Sequence, residues 1–198
     1  MSTSTSSRGR RRGSPDTRSA ILAAARARFA SSGFGGTTIR AVAADAGVDP
    51  ALVHHYFGSK DDLFVAALSL PVDPRAVMAA QVVGPLEGAG ERLLRALLGV
   101  WDDPDSRPAL LAMVRRLLES GGEAMFREGF LPVVLLPLGH ALGIEDAERR
   151  MPLVASQIIG VLLLRYVVKA EPLASMDVEE IVAVYAPVLD GFLAGGHG

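Results

Sequence analysis

The chain has 198 residues, 49% of them hydrophobic and 6% aromatic, with no cysteine and a formal net charge of −2. This composition allows one domain, or a small domain plus a larger one. It favours helices over strands and excludes disulfides, thiolate catalysis and cysteine zinc sites, as fits a reducing cytoplasm. The weak net charge hides an asymmetry: residues 1–62 carry nine Arg and Lys against five Asp and Glu, and residues 63–198 carry eleven against seventeen.

Residues 1–13 form a low-complexity basic stretch that reads as a disordered arm, whose Arg8, Arg10, Arg11 and Arg12 could order in a DNA minor groove. Ser14-Pro15 predicts a capped helix start, and Ile21, Leu22, Ala25 and Phe29 then recur at helical spacing. Gly33 is placed to end this helix in a left-handed turn, with Phe34 folding back on it. Thr37-Thr38 caps a short second helix with Ile39, Val42, Ala43 and Ala46 as its apolar face. Gly47 breaks it, Asp49 caps a third helix beginning at Pro50, and Val48 with Val53 is spaced as a hydrophobic staple. Two short helices joined by a tight glycine turn predict a helix-turn-helix.

A fourth helix is expected from Ser59 to about Leu70, and further helices at roughly 74–83, 88–102, 105–120, 122–142, 145–169 and 177–194. Pro132 and Pro137 should kink or split the 122–142 segment, and Pro152 the next one. Asp177 and Glu180 predict a capping box at the last helix. Residues 153–168 are apolar but interrupted by Ser156, Gln157 and Arg165; they read as a buried helix too short and polar to span a bilayer. No secretory leader is visible, and a soluble, cytoplasmic, all-α protein with no membrane partner is expected.

His54 and His55 are adjacent on the third helix, whose inward stripe is Val53 and Phe57. At 100° per residue both imidazoles fall on the outward arc with Ala51, so they are not core residues. A shared metal needs ligands at i and i+4, and no Asp, Glu or His stands three or four residues from either. Nothing nominates a nucleophile with a base and an orienting carboxylate, so no catalytic set, metal or cofactor is called for. Contact with a partner remains. Ala51 lets the helix approach a major groove, His54, His55 and Tyr56 supply hydrogen bonds, Lys60 is placed for a phosphate, and Thr38 with the amides of the second helix for another. Arg40 lies on the exposed side of that second helix.

The run TTIRAVAADAGVDPALVHHYFGSKDDLF, within residues 16–64, resembles the DNA-binding signature of the tetracycline-repressor (TetR) family of bacterial regulators. The resemblance implies a homodimer that binds a palindromic double-stranded operator and is released by a small ligand held in the C-terminal domain. It carries Thr38, Pro50, Ala51, His54, His55, Tyr56 and Lys60 onto positions that commonly touch DNA. The family often has Tyr where this chain has His54, so that contact would differ and gain some pH sensitivity.

The expected organisation is therefore a basic arm (1–13), a DNA-binding domain (14–62) and an effector-binding and dimerisation domain (63–198). The apolar helix near 153–168 and Ile181, Val182, Val184, Tyr185, Val188, Leu189 and Phe192 of the last helix would pair with their symmetry mates in a four-helix interface. Trp101, Met113, Met125, Phe126, Phe130, His140 and Gln157 are candidates to line a hydrophobic effector pocket, though each type also serves as ordinary core. Two competing functions stay open: a sequence-nonspecific or architectural DNA-binding protein, and a helical small-molecule binder or enzyme that merely retains the module.

Overall fold

The computed structural model describes residues 15–80, 83–118 and 122–195, and all regular structure among them is helical. The arm at 1–13 and Ser14 lie outside the described residues. Helices α1 (Pro15–Gly36), α2 (Ile39–Ala46), α3 (Pro50–Phe57) and α4 (Lys60–Leu68) form an N-terminal bundle. Its core takes Ile21, Ala25 and Phe29 from α1, Val42 and Ala43 from α2, Val53 and Phe57 from α3, and Leu63 and Phe64 from α4. α1 turns at Gly33 (φ 65°, ψ 178°) and resumes to Gly36. The turn drops Phe34 onto Phe29 with ring centroids 5.9 Å apart, and Phe64 meets both edge-on at 5.2 and 5.4 Å. Such pairs add about 0.5–1.5 kcal/mol each beyond burial.

The remainder comprises α5 (Pro74–Ala79), α6 (Ala89–Asp102), α7 (Arg107–Leu118), α8 (Gly122–Met125), α9 (Leu136–Ala141), α10 (Ala147–Leu162) and α11 (Val178–Ala194). π-Helical segments, Phe126–Leu135 and Leu163–Val168, continue α8 and α10. The prolines divide the 122–142 segment as expected and leave α10 whole. Pro132 sits inside the first π segment, Pro137 at the start of α9, and α10 passes through Pro152. A proline has no amide hydrogen for either the i→i−4 bond of an α-helix or the i→i−5 bond of a π turn, so Pro132 and Pro152 each leave one rung of the helical ladder unmade. α5 stops at Ala79 and α7 starts at Arg107, both shorter than expected. The capping box at α11 forms as expected, the Asp177 amide donating to the Glu180 carboxylate at 3.1 Å.

α6 and α11 approach closely at Gly90, whose amide donates to Asp190 Oδ1 at 2.7 Å. Residues Ala147–Val168, 22 in all, are long and apolar enough by length and composition to cross a membrane, so the expectation of a stretch too short to span does not stand. The helix begins earlier than residue 153 and continues through its π segment. In this fold Met151, Val154, Ala155, Ile158 and Val161 bury its inner face in the same core as α9 and α11.

Two arginines hold the C-terminus of α4, where carbonyls lack helical partners, one from within the bundle and one from the other half. Arg26 of α1 donates to the Ala67 carbonyl at 3.0 Å, and Arg116 of α7 to that of Leu68 at 2.7 Å.

Candidate nucleic-acid interface and effector cavity

The geometry of α2 and α3 follows from their ends. Thr38 Oγ1 accepts from the Ala41 amide at 3.1 Å and starts α2. Gly47 closes it in the left-handed region (φ 66°, ψ 34°), where a Cβ would be strained, and the Val48 amide reaches back to the Ala43 carbonyl at 2.9 Å. Asp49 Oδ1 then accepts from the Ala51 amide at 2.7 Å, with Pro50 in the first turn of α3. Val53 and Phe57 are buried and fix the roll of α3 about its own axis. Ala51, His54 and His55 are thereby exposed, and Pro50 and Tyr56 are half-buried. The His55 ring stands edge-on to Tyr56 at 5.6 Å. Thr38 and Arg40 are exposed on α2.

Lys60 differs from the free phosphate contact expected of it. Its Nζ donates to the carbonyls of Phe34 (2.9 Å) and Thr37 (3.2 Å) and lies 4.0 Å from the Phe34 ring centre. One ammonium hydrogen remains, and the side chain first of all ties α4 to the end of α1. Sequence reasoning also missed the pair of Arg28 with Asp45, which joins α1 to α2 at 2.8 Å and holds the Asp45 carboxyl below the usual carboxylate range. It missed Arg18, 5.1 Å from the Phe57 ring centre beneath α3, as well. Contacts made across tens of residues leave no mark in local spacing.

In the larger half, α5, α6, α7, the first π segment and α10 enclose a cavity of about 180 Å³. Of the residues expected there, Trp101, Met113, Phe126 and Phe130 line it, joined by Leu70 and Val77. Met125, His140 and Gln157 do not. His140 is exposed with Nε2 3.4 Å from Glu148, and Met125 packs against the core. Among the described residues no charged or hydroxyl side chain lines the wall. Beside it, Trp101 stacks on Tyr166 at 5.0 Å, and the Tyr166 hydroxyl donates to Asp102 at 2.9 Å. Burial, and next the bond to Asp102, push the Tyr166 phenol up to about 12. Among the described residues no group of three or more His, Asp and Glu is arranged to hold a metal.

A capped helix, a left-handed glycine turn and a second capped helix with a polar outward face, on an all-helical body, define a helix-turn-helix DNA-binding regulator. Residues 21–67 match the model of the tetR family of bacterial regulatory proteins, and residues 87–193 that of the tetracyclin repressor-like C-terminal domain. The chain is 30% identical over 199 residues to the HTH-type transcriptional regulator BetI of Rhizobium meliloti (strain 1021), with 93% of each covered. It is 41% identical to a TetR-family regulator of Streptomyces coelicolor A3 whose crystal structure it matches with a TM-score of 0.52, covering 94% of this chain and 99% of that one. The chain belongs to the TetR family of transcriptional regulators.

Proposed function

We propose that the protein is a ligand-responsive repressor that binds a palindromic operator as a homodimer and is released when an uncharged apolar molecule enters its cavity. The observation that carries this reading is the outward face of α3, where Ala51, His54 and His55 are exposed on a helix whose start, turn and roll are all fixed. Residues 14–62 act in it as the DNA-binding unit and 63–198 as the effector and dimerisation unit, and the protein works where bacterial DNA lies, in the cytoplasm. Thr38, Arg40, Pro50, Ala51, His54, His55 and Tyr56 form the contact surface, with Lys60 lending at most its remaining hydrogen to a phosphate.

Dimerisation is supported by an apolar stripe left uncovered in one chain. Leu153, Ile159, Leu164 and Val168 on α10 and its π segment are exposed, and so are Val184 and Val188 on α11. These side chains are already about half covered, so pairing them gains part of the about 1.5–3 kcal/mol that full burial of each is worth, a term that favours association, and paired recognition helices match the symmetry of an inverted repeat. The effector class follows from the cavity wall: a charge or an unpaired hydrogen-bonding group would be desolvated there without a partner. The α7 helix that lines the cavity with Met113, Val114 and Leu117 also holds α4 through Arg116, a physical route from ligand to DNA-binding unit.

The reading is tested by nuclease protection of the DNA flanking the protein's own coding region. A protected inverted repeat, lost on adding compact apolar compounds and not their carboxylate analogues, is the expected result. Uniform protection of unrelated DNA would replace it with sequence-nonspecific binding.

A further inference from the structure

The two histidines of α3 are chemically different. His54 Nδ1 lies 2.8 Å from the Gly58 carbonyl oxygen. A carbonyl can only accept, so Nδ1 carries the proton, and the neutral ring is left with a lone pair on Nε2. In return the Gly58 amide donates to the His54 carbonyl at 2.8 Å. The imidazole thus closes the last turn of α3 and is held in place by a bond within its own helix. Its ring is exposed, and among the described residues nothing else hydrogen-bonds to it. His55 has no such bond and rests edge-on against Tyr56.

We propose that His54 is a specificity-determining residue that reads an exocyclic amino group, adenine N6 or cytosine N4, in the major groove, and is not a phosphate contact. The inference rests on the operator-binding reading above. In the major groove, guanine offers N7 and O6 and thymine offers O4, all acceptors; the donors are the amino groups of adenine and cytosine. An Nε2 lone pair is repelled by those acceptors and by phosphate oxygens alike, and is matched by the amino groups alone. Ala51, one turn earlier on the same exposed face, adds no bulk to hold the ring away from the base edges.

The test begins with selection of bound duplexes from a random pool by the full-length protein at pH 8, where an imidazole is neutral. If no inverted repeat emerges, the operator reading itself fails. With a repeat in hand, His54→Ala is expected to relax one base pair per half-site, and the amino group of that pair's adenine or cytosine is the one His54 reads. Replacing that base by an analogue lacking the amino group should weaken wild-type binding by roughly three- to tenfold per half-site, the worth of one neutral hydrogen bond, and leave the variant unaffected. The analogue scan of the wild-type repeat needs no variant, so it can overturn the inference even where His54→Ala loses its fold. The inference is overturned if His54→Ala selects the same repeat with the same stringency, if no amino deletion weakens wild-type binding, or if the deletion at the relaxed pair weakens the variant as much as the wild type.

Discussion

Gly129, in the first π segment, lies flat against Phe64 of α4, and a methyl group added there would sit 2.4 Å from both Cε2 and Cζ of that ring. Carbon atoms in contact stay about 3.5–4.0 Å apart, so ring and segment would have to separate by about 1 Å or more. Phe64 is 1% exposed and wedged edge-on against both Phe29 and Phe34, which leaves it nowhere to turn. Overpacking of this kind costs about 1–3 kcal/mol, whereas helix propensity alone would make Gly→Ala stabilising by roughly 0.5–1 kcal/mol. Gly129→Ala should therefore lower stability by about 0.5–2 kcal/mol. Gly99→Ala in α6, with nothing within 4 Å of the new methyl, should raise it. Urea midpoints at one fixed protein concentration measure both, since an oligomer's stability depends on concentration. A Phe64→Leu background should remove most of the Gly129→Ala penalty. If Gly129→Ala stabilises the protein with Phe64 in place, as Gly99→Ala does, the close contact between the halves is wrong.

Lys60→Met should destabilise the fold by about 1.5–3 kcal/mol, because it removes charged hydrogen bonds to two carbonyls; unchanged urea stability, with only the salt dependence of DNA binding altered, would mark Lys60 as a simple phosphate contact. Tyr166 titrates higher in the folded chain, at about 12, than in an unfolded one. Between pH 10 and 12 the unfolded chain therefore loses the phenol proton first, and stability should fall with rising pH in that window. Tyr166→Phe, with no such proton, should flatten that part of the profile, and an identical slope in the two proteins would refute the assignment. Val184→Glu combined with Leu164→Glu should convert dimer to monomer in sedimentation and weaken operator binding, and a dimer that survives both charges would move the interface elsewhere.

The helix-turn-helix was legible because its determinants are local. Thr38, Gly47, Asp49 and Pro50 act on their immediate neighbours, and Val53 with Phe57 reads directly as an inward stripe. The same locality predicted the capping box of α11. The cavity was only half legible: Trp101, Met113, Phe126 and Phe130 line it, but His140 was nominated for its polarity and points to solvent. Which apolar residue faces a void and which faces a neighbouring helix depends on how helices pack, and periodicity does not encode that. A break of the 122–142 segment was legible from Pro132 and Pro137, but not its π form, and α10 runs on through Pro152. Lys60 and Arg116 owe their roles to carbonyls at the ends of other helices, 26 and 48 residues distant. The difference between His54 and His55 needed the position of one carbonyl oxygen.

The central claim is that two copies of the outward face of α3 read one inverted repeat. It is met most directly by titrating the protein, at fixed salt, against the selected repeat, an isolated half-site and a scrambled duplex, with the mass of each complex measured. Two chains per repeat are expected, with binding at least about a thousandfold tighter than to the scrambled duplex, the low end for specific regulators. Equal affinity for the three duplexes, or one chain bound per repeat, would contradict it.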